Sequence, residues 1–355
     1  MSIPLVDVKA QYRPLIAELQ AGIARVLEDG QFILGPNVRA FEEEAAAYLG
    51  VPHAIGVANG TDAIQLVLEA LEIGPGDEVI CPAFTFYATA EPVARRGAMP
   101  VFADIDAQTL NLDPADVAAR ITPRTKAIIA VHLFGRPAPL AELAALGVPL
   151  IEDSAQAWGA RGIARTGVAS TFSFFPTKNL FCLGDGGLVT TADEALAERI
   201  WMLHFHGSRD KQTFTYIGTN SRLDEIQATA LRLFLPRVDG WNAGRRAAAA
   251  RYAELGLGEL CALPGDEPGH VYHMFCVRSP GRERYREALQ AAGIGHAAFY
   301  TTPLHLQPAL AYLGHAPGDL PETERAAAEN LCLPLWPAIL RDQQEEVVSV
   351  LRAAA

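Results

Sequence analysis

Between about residue 13 and residue 235 the chain alternates short apolar runs with longer stretches in which apolar residues recur three or four positions apart. The first pattern predicts strands, the second predicts amphipathic helices, and their alternation predicts an α/β sheet. The candidate strands are HAIGVA (53–58), EVICP (78–82), MPVFADI (99–105), AIIAVHL (127–133), PLIED (149–153), TFSFF (171–175) and GGLVTT (186–191). Near-continuous apolar runs of this kind fit strands covered on both faces, so the sheet is predicted to be mainly parallel. TDAIQLVLEALEI (61–73) and DEALAERIWMLHFH (193–206) read as helices between them. In such a sheet ligands gather at the carboxyl ends of the strands, where loops hand over to helix N-termini.

A long helical pattern covers residues 221–255, with a break predicted around Pro236 and Gly240. Beyond it the texture changes to a strand-like HVYHMFCVR (270–278), a helix from near Arg282 and the proline-rich FYTTPLHLQPAL (299–310). This predicts a large α/β domain over residues 1–239, with an N-terminal arm, and a smaller α+β domain over 240–355. A chain of 355 residues, half of them hydrophobic, has the length for both.

Charge narrows the function classes. The 41 acidic and 29 basic residues give a formal charge of −12, which argues against nucleic acid or anionic lipid as a partner. The first fifteen residues lack the apolar core of a secretory signal, and no run approaches the length of a membrane span, so a cytoplasmic protein is expected. The 5 cysteines are scattered without CxxC spacing, which predicts neither a disulfide framework nor a metal site.

Four places carry candidate chemistry. Lys178 follows the apolar run SFFP and precedes a glycine-rich CLGDGG; a lysine in a pocket loses its proton readily and becomes a nucleophile toward a carbonyl, although a solvated loop lysine is the plainer reading. In NGTDAIQ (59–65), Gly60, Thr61 and Asp62 sit at a strand-to-helix turn whose N–H groups suit a phosphate, or simply form a capped helix start. PLIED ends in Glu152 and Asp153, whose side chains point to opposite faces, so one of them can meet a protonated heterocyclic nitrogen, with Gln156 close to the same ring. Of Phe84, Phe86 and Tyr87, two are expected in the core and one free to stack on a planar group. A phosphate cradle, a carboxylate, a stacking aromatic and a strand-end lysine together match the needs of pyridoxal 5'-phosphate.

The ordered set NGTDA, PAFTF, EDSAQAWGA, FSFFPTKNL, GDGG and NSRLDEIQA, with HVYHMFCVR, FYTTPLHLQPA and LCLPLWP after it, resembles the DegT/DnrJ/EryC1/StrS family of pyridoxal-phosphate-dependent nucleotide-sugar aminotransferases over nearly the whole chain. The resemblance implies the fold-type-I, aspartate-aminotransferase-like architecture and a homodimer with shared active sites. It implies amino transfer from glutamate or glutamine to a nucleotide-linked ketosugar, with the 3-keto position weakly favoured over the 4-keto by PLHLQP. Matched position by position, Lys178 is the lysine that holds the cofactor and Asp153 the partner of its ring nitrogen. Gln156 contacts the ring, Phe86 stacks on it, and Gly60, Thr61, Asp62 and Ser173 hold the phosphate. Asn220 reaches the neighbouring subunit's cofactor. Arg222 and His305 are candidates for the substrate, each with a structural role as the alternative, and by position in the chain alone Arg39, Arg209, Lys211 and Arg222 are candidate cations for a nucleotide diphosphate. Phe214 stands where members often carry histidine, and Trp158 does the same. Two other readings stand beside this one: another fold-type-I enzyme acting on amino acids, and a non-catalytic regulatory relative.

Overall fold

In a computed structural model, which describes residues 2–355, seven strands form one sheet in the order β1-β7-β6-β5-β4-β2-β3. They are β1 (His53–Val57), β2 (Glu78–Pro82), β3 (Met99–Ala103), β4 (Thr125–Val131), β5 (Leu150–Asp153), β6 (Ala169–Ser173) and β7 (Gly187–Thr191). All seven apolar runs therefore become strands. β7 alone runs against its neighbours β1 and β6, and the pairs from β6 to β3 are parallel.

Alternation along each strand feeds a different core on each face. Ala127, Ile129 and Val131 of β4 join Ile64, Val67 and Ile200 from the helices Gly60–Ala70 and Glu194–His204. Ile128 and Ala130 face the other way, with Val117 and Leu143. Further along that second face, Phe172 and Leu188 pack with Phe41, Leu231 and Phe234 from the helices Pro36–Leu49 and Glu225–Phe234. Burial on both faces explains why the strands lack polar alternation.

The long helical pattern divides where Pro236 removes a donor. Helix Glu225–Phe234 passes through a tight turn, Leu235–Arg237, into helix Val238–Glu254, and Gly240 is accommodated inside the second helix without a break. Beyond it, β8 (Phe275–Arg278) and β9 (Asn330–Leu333) form an antiparallel pair. Helices Arg282–Ala291 and Arg341–Ala353 pack with them around Tyr252, Phe275, Leu289 and Leu351. The N-terminal arm joins this part, with Gly295 N–H donating to Ile3 O at 2.7 Å and Leu335 N–H to Leu5 O at 3.1 Å.

The predicted strand 270–278 is half its expected length. Residues 270–274 have other partners: Val271 N–H donates to Gly135 O at 3.0 Å, the Asn179 side chain donates to Val271 O at 3.0 Å, and Tyr272 takes a positive φ of 43°. The segment is thereby laid against the loop that carries Lys178.

One carboxylate fastens a helix start from a distance. Gly35, at the N-cap of helix Pro36–Leu49, has no side chain to cap with, and the buried Glu225 accepts from Asn37 N–H at 2.8 Å and Val38 N–H at 2.9 Å in its place. A Cβ on Gly35 would come within 2.6 Å of the Glu225 carboxyl carbon, so the close approach requires glycine. Replacing Glu225 by alanine strands these donors and is expected to cost about 2–3 kcal/mol, read as a lower denaturation midpoint than that of Glu225→Gln.

Candidate active site

A cavity of about 540 Å³ opens at the carboxyl ends of the strands. Of the residues singled out in the sequence, Gly60, Thr61, Phe86, Asp153, Gln156, Ser173 and Lys178 line it.

The chain leaves β1 into helix Gly60–Ala70, where Asn59 caps by accepting from Asp62 N–H at 2.8 Å and Asn59 O accepts from Ala63 N–H. The Asp62 N–H is thus spent inside the cap, and Asp62 does not line the cavity. The N–H groups of Gly60 and Thr61 remain beyond the reach of any helical carbonyl. A Cβ on Gly60 would sit 2.8 Å from the Ser173 Cβ, so only glycine lets the helix start close against the end of β6.

Lys178 projects from a loop pinned at both sides. Its N–H donates to Phe175 O at 2.8 Å, and the next residue, Asn179, is buried with its side-chain amide on Asn242 Oδ1 at 2.7 Å. The half-buried side chain faces the cavity. Burial pushes the amine down to about 8 against the opposing pull of Asp153.

Asp153 ends β5, almost fully buried. Its Oδ1 accepts from Ala155 N–H at 3.2 Å and its Oδ2 from the Thr89 hydroxyl at 3.0 Å. Burial raises its carboxyl above the ordinary range, opposed by the Ala155 and Thr89 hydrogen bonds and by the nearby Lys178. Glu152 points to the other face. Burial alone would raise its carboxyl, but a hydrogen bond with His132 at 3.2 Å and the N–H groups of Gly167 and Ala164 hold it below its ordinary value. His132 Nδ1 accepts from Ala138 N–H, which leaves Nε2–H to donate to Glu152. Between the two carboxylates, only Asp153 is available to a ligand.

Gln156 is held by accepting from Phe134 N–H at 2.7 Å and by donating to the Tyr300 hydroxyl at 3.3 Å. Among the three aromatics Phe84 is wholly buried, Tyr87 half-buried, and Phe86 is 57% exposed at the cavity. The division anticipated from the sequence, two inward and one free, is close to what is found.

Other candidates lie elsewhere in the chain. Asn220 is exposed and bridged to Phe205, and the Arg222 guanidinium stands 5.9 Å from the Phe205 ring. His305 is buried, with Nε2 on Glu324 at 3.1 Å, and Trp158 is core, stacked on Tyr48 at 5.7 Å. Arg39 donates to Leu34 O, Arg209 pairs with Glu198, and Lys211 lies over the Phe205 ring. None of these lines the cavity of its own chain. Conversely Thr85, Thr89, His273 and Tyr300 line it without having been singled out. The threonines carried a faint signal, four apart just after a strand end, whereas nothing local marked Tyr300. Among the described residues no group of three or more His, Cys, Asp or Glu is placed to hold a metal, and no helix is long and apolar enough to cross a membrane.

Comparison with known proteins points the same way. A model of the DegT/DnrJ/EryC1/StrS aminotransferase family matches residues 15–352. Over 361 residues the chain is 45% identical to a pleiotropic regulatory protein of Geobacillus stearothermophilus, covering 98% of this chain and 97% of that protein. It is also 45% identical over 361 residues to the UDP-N-acetyl-3-dehydro-alpha-D-glucosamine 3-aminotransferase of Acidithiobacillus ferrooxidans, covering 99% and 97% respectively. The crystal structure of S. venezuelae DesV in complex with a ketimine intermediate superposes with a TM-score of 0.95 at 45% identity, covering 99% of this chain and 98% of that one.

Proposed function

The chain belongs to the DegT/DnrJ/EryC1/StrS aminotransferase family, whose members depend on pyridoxal phosphate, and from that premise we propose that it moves the amino group of glutamate or glutamine onto a nucleotide-linked ketosugar in the cytoplasm. The observation that carries this reading is the pairing in one cavity of a lysine whose amine burial pushes down to about 8 with a buried carboxylate aimed at the same space. The residues present fit the cofactor: a helix start kept open by Gly60 against Ser173 for the phosphate, an amine for the aldehyde, and Asp153 for the ring nitrogen.

When bound, pyridoxal phosphate supplies the aldehyde that carries the amino group and a ring that draws electrons from the carbon losing its proton. The chain supplies binding and proton handling. The N–H groups of Gly60 and Thr61, with the hydroxyls of Thr61 and Ser173, hold the phosphate. Asp153 holds a proton on the ring nitrogen. Phe86, free on one side of the cavity, covers one ring face, and Gln156 is kept still by Phe134 and Tyr300 to contact the ring. Lys178, with a substantial neutral fraction at physiological pH, takes and returns a proton at Nζ, acting as base and then acid from one position.

We place residues 1–239 in a large domain and 240–355 in a small one, with helix Val238–Glu254 carrying one into the other. Asn220 and Arg222 do not line the cavity of their own chain; Arg222 is kept as a candidate for the substrate, and Asn220 is assigned to the cavity of a second copy in a homodimer. Exposed apolar side chains support this: Phe175 lines the cavity mouth, Phe32, Ile33 and Leu183 lie on neighbouring loops, and Ile217, on the Asn220 arm, is 93% exposed. Arg39, Arg209 and Lys211 are kept as candidates for the nucleotide diphosphate. His305, paired with Glu324 outside the cavity, is kept as a candidate for the substrate.

The relative that acts on a 3-dehydro sugar supports the 3-position. Supplied with glutamate and a panel of UDP- and dTDP-linked 3-keto and 4-keto sugars, the enzyme is expected to aminate a 3-keto sugar at least ~10-fold faster than any 4-keto sugar, read by mass spectrometry. Amination of 4-keto sugars alone overturns the position, and amination of none overturns the sugar. A relative named as a regulatory protein keeps a non-catalytic reading in view; the intact Lys178 and Asp153 favour turnover.

A further inference from the structure

Asp153 is served by a chain of two hydroxyls. Thr89 belongs to the short turn Tyr87–Thr89 after β2, and reaches across β4 to the end of β5, where its Oγ1 lies 3.0 Å from Asp153 Oδ2. Thr85 Oγ1 lies 3.1 Å from Thr89 Oγ1. Both threonines are 1% exposed. An ionised carboxylate only accepts, so the Thr89 proton is committed to Asp153 and the Thr85 hydroxyl must donate to the Thr89 oxygen. The polarity of the chain is fixed, Thr85 to Thr89 to Asp153, and with both hydroxyls buried each bond strengthens the next. Ala155 N–H takes the other carboxylate oxygen. Two donors on two oxygens fix the plane of the carboxyl group as well as its charge.

We propose that Thr89, backed by Thr85, is a positioning residue that keeps Asp153 ionised and oriented toward the cofactor's ring nitrogen. The inference rests on the assignment of Asp153 to that nitrogen. A buried carboxylate tends to take up a proton, and a protonated Asp153 cannot hold a positive ring nitrogen. The ionisable groups around Asp153 are Lys178 from the loop after β6, His132 just beyond β4 and Tyr300 from the C-terminal part, with Asp185 and His273 also lining the cavity. His132 is bonded to Ala138 and Glu152, and Tyr300 to Gln156, so neither donates to Asp153 in place of Thr89. Thr89 supplies the side-chain hydrogen bond that opposes protonation.

The test compares Thr89→Val, which keeps the shape and removes the donor, with Thr89→Ser, which keeps the donor, and with Thr85→Val and Asp153→Asn. Two quantities are measured between pH 5 and 9: the affinity of the apoprotein for pyridoxal phosphate, and kcat. Thr89→Val is expected to lower kcat roughly tenfold or more at neutral pH and to move its acid limb to higher pH, because Asp153 then protonates earlier. Cofactor affinity in Thr89→Val should fall most at the acid end. Thr89→Ser should return both to within about threefold of wild type, and Thr85→Val should shift the acid limb in the same direction by less. An unshifted acid limb in Thr89→Val, or Thr89→Ser as impaired as Thr89→Val, overturns the inference. If Thr89→Val does not fold, Thr85→Val decides, and an unshifted limb there overturns it. Should Asp153→Asn retain full activity, the assignment of Asp153 itself fails, which the other variants cannot mimic.

Discussion

Replacement of Lys178 by alanine is expected to lower amino transfer by roughly 10⁴-fold or more while leaving the fold intact. No other basic side chain lines the cavity except His273, which burial and the charges of Lys178 and Arg245 keep neutral far below its usual range. With Lys178 gone, the proton has no carrier at the reacting carbon, and the aldehyde has no amine to hold it. The phosphate cradle at Gly60, Thr61 and Ser173 remains, so the variant should still take up pyridoxal phosphate, with affinity reduced and exchange faster. Stability gives an independent reading. The folded-state amine sits at about 8, below its ordinary 10.5, so between those values the unfolded chain binds more protons than the folded one. Stability contributed at Lys178 therefore rises with pH across that window. The melting temperature of wild-type apoprotein should gain on that of Lys178→Ala as pH is raised from 8 toward 10.5, and a constant difference would show that the amine is not desolvated.

Asp153→Asn is expected to lower kcat by roughly 10²–10³-fold, with the cofactor's affinity and the KM for the amino donor each changed by less than about tenfold. Asparagine keeps the shape and can still accept from Ala155 N–H, while the Thr89 hydroxyl can turn to accept in place of donating. What it lacks is the negative charge. A neutral partner leaves the ring nitrogen without its proton, and the ring then withdraws electrons weakly in the step that needs it most. Catalysis suffers more than binding because phosphate and ring contacts elsewhere are untouched. Steady-state kinetics alongside cofactor titration separate the two. A large loss of cofactor with unchanged kcat would make Asp153 an anchor and nothing more.

The seven strands were legible because each is buried on both faces and appears as an unbroken apolar run. The reversal of β7 was not, since a run such as Gly187–Thr191 looks the same in either direction. Lys178 and Asp153 were legible for a related reason: each stands just beyond an apolar run, where a sheet of this kind presents its ligands. Strand alternation alone left Glu152 and Asp153 open and the family resemblance chose Asp153; the structure adds the physical reason, spending Glu152 on His132 and three N–H groups. Thr89 and Tyr300 stayed hidden because their partners are 64 and 144 residues away in sequence. The segment 270–274 misled for the opposite reason. Its Val271, Tyr272 and Met274 side chains suit a strand, but Gly135 and Asn179 claim the backbone of Val271. Asn220 and Arg222 do not line the cavity of their own chain but lie against Phe205, which no local pattern can reveal.

The central claim, that Lys178 and this cavity carry amino transfer through pyridoxal phosphate, is tested most directly by the visible absorption spectrum of the purified protein before and after glutamate, with Lys178→Ala in parallel. The account predicts a yellow wild-type protein whose lysine-bound cofactor band gives way to that of the aminated cofactor on adding glutamate, and a variant that shows no such conversion. A protein that takes up no cofactor, or a Lys178→Ala variant converted by glutamate as fast as wild type, would contradict it.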